Sequence, residues 1–434
     1  MSAPLSVVLI ASNRFPLRQP FAGGLEAHVW HLARALTERG HKVSLFAGSG
    51  SDLSPDHSQL TVRELTLSAA AQADPSASPK AFLTDHHAYL NLMMQLAHSD
   101  SGYDIVHNHS LHHLPVAMAP LLATPMITTL HTPPTPWLES ALDLTGSSGT
   151  RFAAVSRHTA DAWRHVAPDV TVVPNGVDFR RWPLGPGGDN LVWFGRITAE
   201  KAPHLAIAAA RRADMPLVLA GPISDEDYFK HSVAPLLGER VRYAGHLDQD
   251  ALGRLVGRSA AALATPVWHE PYGLVVAEAM SCGTPVVAFA CGGIPEIVSP
   301  RSGRLVPPND VQALAAEIPA ALALARKDVH RHAVARCSAE AMVTAYLDLY
   351  RTTIDDQPII VVNDGREIGT FVAVCTHEGC PLGWNPTQHL IRCPCHGSAF
   401  DTAGRVVEGP AQAPLTRLET VVEGGDVLIV DTRK

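Results

Sequence analysis

Residues 5–47 read LSVVLIASNRFPLRQPFAGGLEAHVWHLARALTERGHKVSLFA. Leu5 to Ala11 is an apolar run of the length of one buried β-strand. A loop with Pro16, Pro20, Gly23 and Gly24 follows. Leu25, Val29, Leu32, Ala33 and Leu36 then recur at helical spacing, so Leu25 to Arg39 is expected to be a helix. Gly40 is placed to cap it, and Val43 to Ala47 is the next strand. Strand, glycine loop, helix, strand is a βαβ unit, and such units build a parallel sheet covered by helices.

The pattern recurs along the chain. Ile105 to His107, Met126 to Leu130, Ala153 to Val155 and Val170 to Val173 read as further short buried strands. A second series begins at Leu191 to Gly195 and continues through Leu217 to Ala220, Val241 to Tyr243, Ala261 to Ala264 and Pro285 to Phe289. Helical stretches such as Leu205 to Arg212 and Val311 to Ala325 lie between or after them. Pro and Gly concentrate between Asp178 and Gly188, which puts the junction of two doubly wound α/β units there: 1–178 and 179–338. Ala339 to Tyr350 is a closing amphipathic helix that can pack back on the first unit. Ser68 to Pro79, rich in Ala, Ser and Pro, is expected to be a surface loop.

After Thr353 the strands become short and alternating: Ile359 to Val362, Thr370 to Val374, Leu390 to Cys393 and Val427 to Val430. Turns at Asn363-Asp364-Gly365 and Gly424-Gly425 separate them, so 354–434 is expected to be a small all-β module. The linker, Thr352 to Gln357, is short enough to hold this module close to the rest. Within it stand Cys375-Thr376-His377 and Cys393-Pro394-Cys395-His396. Two thiolates and two imidazoles can hold a [2Fe–2S] cluster asymmetrically, with Cys on one iron and His on the other. A structural zinc site is the alternative, although zinc motifs rarely use this spacing.

Composition narrows the rest. With 46% hydrophobic and 18% charged residues, the chain has enough apolar material for sizeable cores. A net charge of −8 and the lack of a basic, aromatic-laced patch argue against nucleic acid. No apolar run reaches the length of a membrane helix. The N-terminus lacks the charged region of a signal peptide, so the cytoplasm is the expected compartment. Cys282, Cys291 and Cys337 read as reduced, structural cysteines; Arg336 beside Cys337 does not by itself make a reactive thiol.

Three loops carry candidate chemistry. Gly23-Gly24 stands where backbone N–H groups at a helix start can face a phosphate, a plain tight turn being the alternative. Gly195-Arg196-Ile197-Thr198-Ala199-Glu200-Lys201 follows a parallel strand and offers two cations that suit a diphosphate; a solvated basic loop is the alternative. Glu270-Pro271-Tyr272-Gly273-Leu274 through Glu278 sets two carboxylates around a turn and a helix start. Asp225-Glu226-Asp227 reads as a solvated helix start. His107, His109, His112 and His113 lack supporting Cys or carboxylate ligands, so structural or acceptor-site roles are expected.

Taken together these segments resemble family 4 retaining glycosyltransferases of the GT-B fold. The resemblance also rests on Gly40-His41-Lys42-Val43, Asp104 to His109, Thr129-Leu130-His131-Thr132, Val155-Ser156, Val173 to Asp178, Cys282 to Val287 and Gly292 to Glu296. It implies two Rossmann-like domains, the acceptor side first and the nucleotide-sugar side second. It implies that Gly24, with Gly23, approaches the donor phosphate and that His131 positions the sugar near its C6 hydroxyl. Arg196 and Lys201 would neutralise the diphosphate, and Glu270 would contact sugar hydroxyls. Gly273 and Leu274 would supply N–H groups, and Glu278 would bind the ribose. The family's Glu-Lys-Gly is Glu200-Lys201-Ala202 here. The implied transfer is a same-face substitution that requires no divalent metal, with a UDP-sugar the commoner donor. Trp137 and the prolines of the loops near Phe15 to Phe21 and Pro133 to Ser148 point to a small, partly apolar acceptor.

Residues 357–434 resemble a Rieske domain, on Cys375 to Leu382, Cys393 to Ser398, Gly409-Pro410-Ala411 and Pro414-Leu415. That resemblance implies Cys375, His377, Cys393 and His396 as ligands and Cys380 with Cys395 as a disulfide. Ser398 matches a hydroxyl that bonds a cluster sulfide. Phe400 stands where a Tyr often donates to a ligand sulfur. The first strands of a full domain are expected to be missing before Gln357, with part of its base covered by the transferase. The combined reading is a glycosyltransferase carrying an electron-transfer or redox-sensing module. A ferredoxin, a flavin reductase or an oxygenase is the implied partner class. An electron-transfer protein on an inactive GT-B scaffold is the alternative.

Overall fold

The computed structural model describes residues 3–430 except 53, 55, 99–101, 147, 356, 357, 364, 366, 378, 424 and 425. The expected turns at Asp364 and Gly424-Gly425, and the last two linker residues, lie outside the described residues.

The first unit is a parallel sheet of β1 (Ser6–Ile10), β2 (Lys42–Phe46), β3 (His57–Gln59), β4 (Ile105–Asn108), β5 (Met126–Leu130), β6 (Thr150–Ala154) and β7 (Val170–Val172). Their order is β3-β2-β1-β4-β5-β6-β7. The second is a parallel sheet of β8 (Leu191–Phe194), β9 (Leu217–Ala220), β10 (Val241–Tyr243), β11 (Ala261–Ala264), β12 (Val286–Phe289) and β13 (Gly303–Val306). Their order is β10-β9-β8-β11-β12-β13. Strands β4, β8 and β11 are buried along their whole length because helices cover both faces. Strand order reverses between β1 and β4 in one sheet and between β8 and β11 in the other. Crevices at such reversals are where α/β sheets bind ligands.

The helices used below are α1 (Gly24–Glu38), α2 (Lys80–His98), α3 (Pro203–Arg212), α4 (Leu274–Ser281), α5 (Arg326–Arg336) and α6 (Ala339–Asp355). Helix α6 follows the second unit in the chain but buries Met342, Val343, Tyr346 and Tyr350 against Val7, Val29 and Ile105 of the first. The chain crosses between units twice, side by side. The Val177 N–H donates to the Cys337 carbonyl at 2.8 Å, and the Ala339 N–H donates to that of Val177 at 3.2 Å. Helices α2 and α5 and strands β3 and β13 were not expected from the sequence. A short exposed helix, Ala69–Gln72, interrupts the surface segment expected at Ser68 to Pro79.

The C-terminal module has antiparallel pairings throughout. Strands β14 (Ile359–Asn363), β15 (Ile368–Val372), β20 (Arg417–Glu423) and β21 (Asp426–Val430) form one sheet. Strands β16 (Gly383–Asn385), β17 (Leu390–Arg392), β18 (Ala399–Phe400) and β19 (Val406–Glu408) form the other. One Cys/His loop joins β15 to β16 and the second joins β17 to β18. The first comes down on the first unit: a Cβ at Gly379 would stand 1.8 Å from the Pro120 carbonyl oxygen.

Candidate functional site

The two sheet reversals face each other across a cleft. Loops after β1, β8 and β11 supply one cavity lined by Gly23, Gly24, Arg196, Lys201, Glu270, Gly273, Leu274 and Glu278. Two helices point their N-termini at it. Helix α1 starts behind the extended Gly23, and α4 starts behind Gly273, whose φ of 92° is the left-handed conformation a glycine adopts without strain. A Cβ at Gly24 would lie 3.4 Å from Leu274 Cδ2, so the two helix starts, from different units, nearly touch. Unpaired N–H groups and positive dipole ends converge there.

Charges in the cavity are paired. The Lys201 ammonium donates to Glu270 Oε2, which also accepts from Trp268 Nε1–H at 3.0 Å. The same ammonium sits 5.0 Å from the Trp268 ring centre. Arg196 lies 3.5 Å from Glu200. Burial pushes the Glu278 carboxyl up to about 8, so it is largely protonated at neutral pH. Burial likewise raises Glu26 on the first turn of α1, despite the lowering influence of its backbone hydrogen bond and of Arg196 and Arg14.

His131 stands apart from this lining. It belongs to a buried network that the sequence did not reveal. His131 Nε2 is 3.0 Å from His109 Nδ1, and His109 Nε2 is 3.1 Å from His107 Nδ1. His107 Nδ1 is in turn 2.6 Å from the Tyr350 hydroxyl of α6. Burial holds all three imidazoles far below the ordinary range, so they are neutral. His112 Nδ1 accepts from the Leu114 N–H at a helix start, a structural role. Asp225 accepts from the Tyr228 N–H and caps its helix as expected. Trp137 stacks on His113 and does not line this cavity.

The second centre lies in the C-terminal module. Cys375 and Cys393 are buried with their thiols within hydrogen-bond reach of each other. The His377 and His396 rings are 5.0 Å apart. Cys380 and Cys395 form a disulfide that ties the two loops together. The buried Ser398 hydroxyl accepts from the Ala411 N–H at 3.1 Å and also reaches Cys375. Phe400 is fully buried in the same small core as Cys375 and Cys393.

Three family models match the chain: "Glycosyltransferase Family 4" over residues 22–181, "Glycosyl transferases group 1" over 178–335 and "Rieske [2Fe-2S] domain" over 334–421. The glycogen synthase of Mycobacterium tuberculosis is 30% identical over 357 residues, covering 72% of this chain and 84% of that one. The cytochrome b6-f complex iron-sulfur subunit of Prochlorococcus marinus is 43% identical over 76 residues, 17% of this chain and 43% of that subunit. The structure of Anabaena HepE in complex with UDP-glucose superposes with a TM-score of 0.63 at 18% identity, covering 80% of this chain and all of that one, a likeness of fold. The chain therefore belongs to the family 4 glycosyltransferases of the GT-B fold and is joined on its C-terminal side to a Rieske [2Fe-2S] domain.

Proposed function

We propose that the chain moves a hexosyl group from a nucleotide-diphosphate sugar, a UDP-sugar first among candidates, to a small acceptor with retention of anomeric configuration. The meeting of two helix N-termini with Arg196 and Lys201 around one cavity carries this reading. The acceptor oxygen bonds to the anomeric carbon on the face the diphosphate leaves. The bond from that carbon to the diphosphate breaks, and a departing phosphate oxygen takes the acceptor's proton. Arg196, Lys201 and the helix ends offset the growing negative charge. Lys201 does so by turning from Glu270 to the phosphate, which frees Glu270 to accept from sugar hydroxyls. Gly273 and Leu274 offer N–H groups to the same sugar, Gly23 and Gly24 approach the phosphate, and Glu278 accepts from the ribose. His131 orients the sugar near its C6 hydroxyl from the buried histidine network. The name of the HepE complex supports a uridine donor.

The donor set of the second centre fits a [2Fe–2S] cluster: two adjacent buried thiols and two neighbouring imidazoles. Cys375 and Cys393 would hold one iron, His377 and His396 the other. When bound, such a cluster exchanges single electrons. We read the module as serving electron transfer or redox sensing, with a ferredoxin, a flavin reductase or an oxygenase as partner. The seat of its first loop on Pro120 supports communication with the transferase. Among the described residues no helix is long and apolar enough to cross a membrane; the cytoplasm is the compartment we propose.

A calorimetric panel of UDP-, GDP- and ADP-sugars on anaerobically purified protein, oxidised and then reduced, tests both parts. Binding of one donor that shifts with redox state supports a redox-gated transferase. Equal binding in both states leaves the module a separate electron-transfer role. Binding of none brings forward the inactive-scaffold alternative.

A further inference from the structure

A second cavity, of about 440 Å³, adjoins the first and shares Ala22, Arg196, Pro222 and His246 with it. That is room for a monosaccharide-sized ligand. It lies between the loop after β1 and the loop after β9. Its charged lining is Arg14, Arg18 and Arg196, and among the described residues no carboxylate lines it. In a chain of net charge −8, three guanidiniums on one cavity are a local arrangement. Arg196 is partly matched by Glu200. Among the described residues neither Arg14 nor Arg18 forms an ion pair. The carboxylates that feel Arg14 are Glu26 and Asp85, both raised chiefly by burial and lowered in part by Arg14.

A separate observation points the same way. Thr198 lines this cavity, is 6% exposed, and among the described residues its hydroxyl oxygen has no hydrogen-bond partner. Buried hydroxyls are ordinarily paired, so an orphan on a cavity wall marks a place where a ligand or water completes the set. Guanidiniums hold oxyanions through paired N–H groups, and a hydroxyl adds a further donor.

We propose that this cavity is the acceptor subsite and is built for an anion: a hydroxylated small molecule bearing a phosphate or carboxylate, held by Arg14 and Arg18 with Thr198 beside it. The proposal rests on the transferase reading, since it assigns the acceptor's class for that same site. Arg196 lines both cavities, so the acceptor anion and the leaving diphosphate share one guanidinium.

The test uses the full chain and two calorimetric stages. Nucleoside diphosphates (UDP, ADP, GDP) are titrated first, which tests the donor reading alone. The loaded protein is then titrated with glucose 6-phosphate, glucuronate and glucose. At least one of the two anions is expected to bind fivefold or more tightly than glucose, and the stronger arm identifies the oxyanion. Arg14→Ala/Arg18→Ala should weaken that anion at least fivefold while nucleotide affinity stays within twofold. Arg14→Lys/Arg18→Lys, which keeps the charge, should recover most of the loss, and matched melting curves check that the variants are folded. Glucose binding as tightly as both anions, or a loss under fivefold in the folded Ala variant, overturns the proposal. If no nucleotide binds, the donor reading has failed separately. The anion arm then runs on the free protein with inorganic phosphate, where arginine-dependent binding upholds the subsite and its absence rejects it.

Discussion

Glu278 couples the transfer site to pH. Its carboxyl titrates near 8 in the folded chain against 4.5 ordinarily, because burial disfavours the charge. A raised carboxyl contributes stability that is fully present below 4.5 and lost as pH rises through about 8, since the unfolded chain releases its proton first. The melting temperature of the nucleotide-free protein is therefore expected to fall across that window, and Glu278→Gln should flatten the fall. On the proposed reading, ribose hydroxyls donate to Glu278 and favour its ionised form. UDP binding at pH 7 should then release close to one proton, read from calorimetry in buffers of different ionisation enthalpy. No release would separate Glu278 from the ribose. Phe400 makes a second single-residue case. It is buried beside Cys375 and Cys393 without a hydroxyl. Phe400→Tyr should add one donor to a cluster sulfur and raise the midpoint by roughly 20–60 mV, the one-electron equivalent of one net hydrogen bond. Redox titration of both proteins checks it, and an unchanged potential would show that the new hydroxyl does not reach the sulfur. The unmodified domain is expected within the broad Rieske span of about −150 to +300 mV, below its respiratory members.

At the scale of elements, legibility followed burial pattern. Leu217–Ala220 and Ala261–Ala264 have the bounds their apolar runs suggest, because strands covered on both faces need apolar side chains in both directions. Helix α2 escaped because its stripe, Tyr89, Leu92, Met93 and Leu96, occupies only its second half. Helix α5 buries little beyond Val329 and Ala333, too sparse a stripe for a periodic signal. The cavity residues were legible because each sits on a strand-to-helix loop or early in the helix that follows it. The place of His131 was not, since it depends on how β4, β5 and α6 pack together. Likewise the pairing of Lys201 with Glu270 joins loops 69 residues apart. The disulfide belongs to this scale too, because it braces two loops between strands. It closes a separation of 15 residues, worth about 3 kcal/mol in the chain-entropy account. Cys380→Ser/Cys395→Ser should therefore release the cluster at a lower temperature, seen as earlier loss of its visible absorption, while the transferase units melt as before. Cluster loss unchanged by the double substitution would show that the β-sheets alone hold the loops.

For the whole molecule, helix α6 decides where the transferase ends. It comes after the second unit in sequence yet completes the core of the first, through Met342, Val343, Tyr346, Leu347, Leu349, Tyr350 and Ile354. Its Tyr350 also closes the buried histidine network. At roughly 2 kcal/mol for each buried apolar side chain, removing these seven would cost about as much as a whole domain's usual stability of about 5–15 kcal/mol. A chain ending at Asp355 keeps α6 and lacks only the Rieske module, so it should stay folded and bind the donor nucleotide. A chain ending at Ser338 should lose the cooperative melting of the first unit, although every cavity residue named here precedes that point. Circular-dichroism melting and nucleotide calorimetry on the two truncations compare them directly. Cooperative melting of the shorter chain at the full-length temperature would mean that α6 merely covers a core already complete. Loss of nucleotide binding from a folded longer chain would mean that the Rieske module, through its seat on Pro120, holds the first unit in its binding conformation.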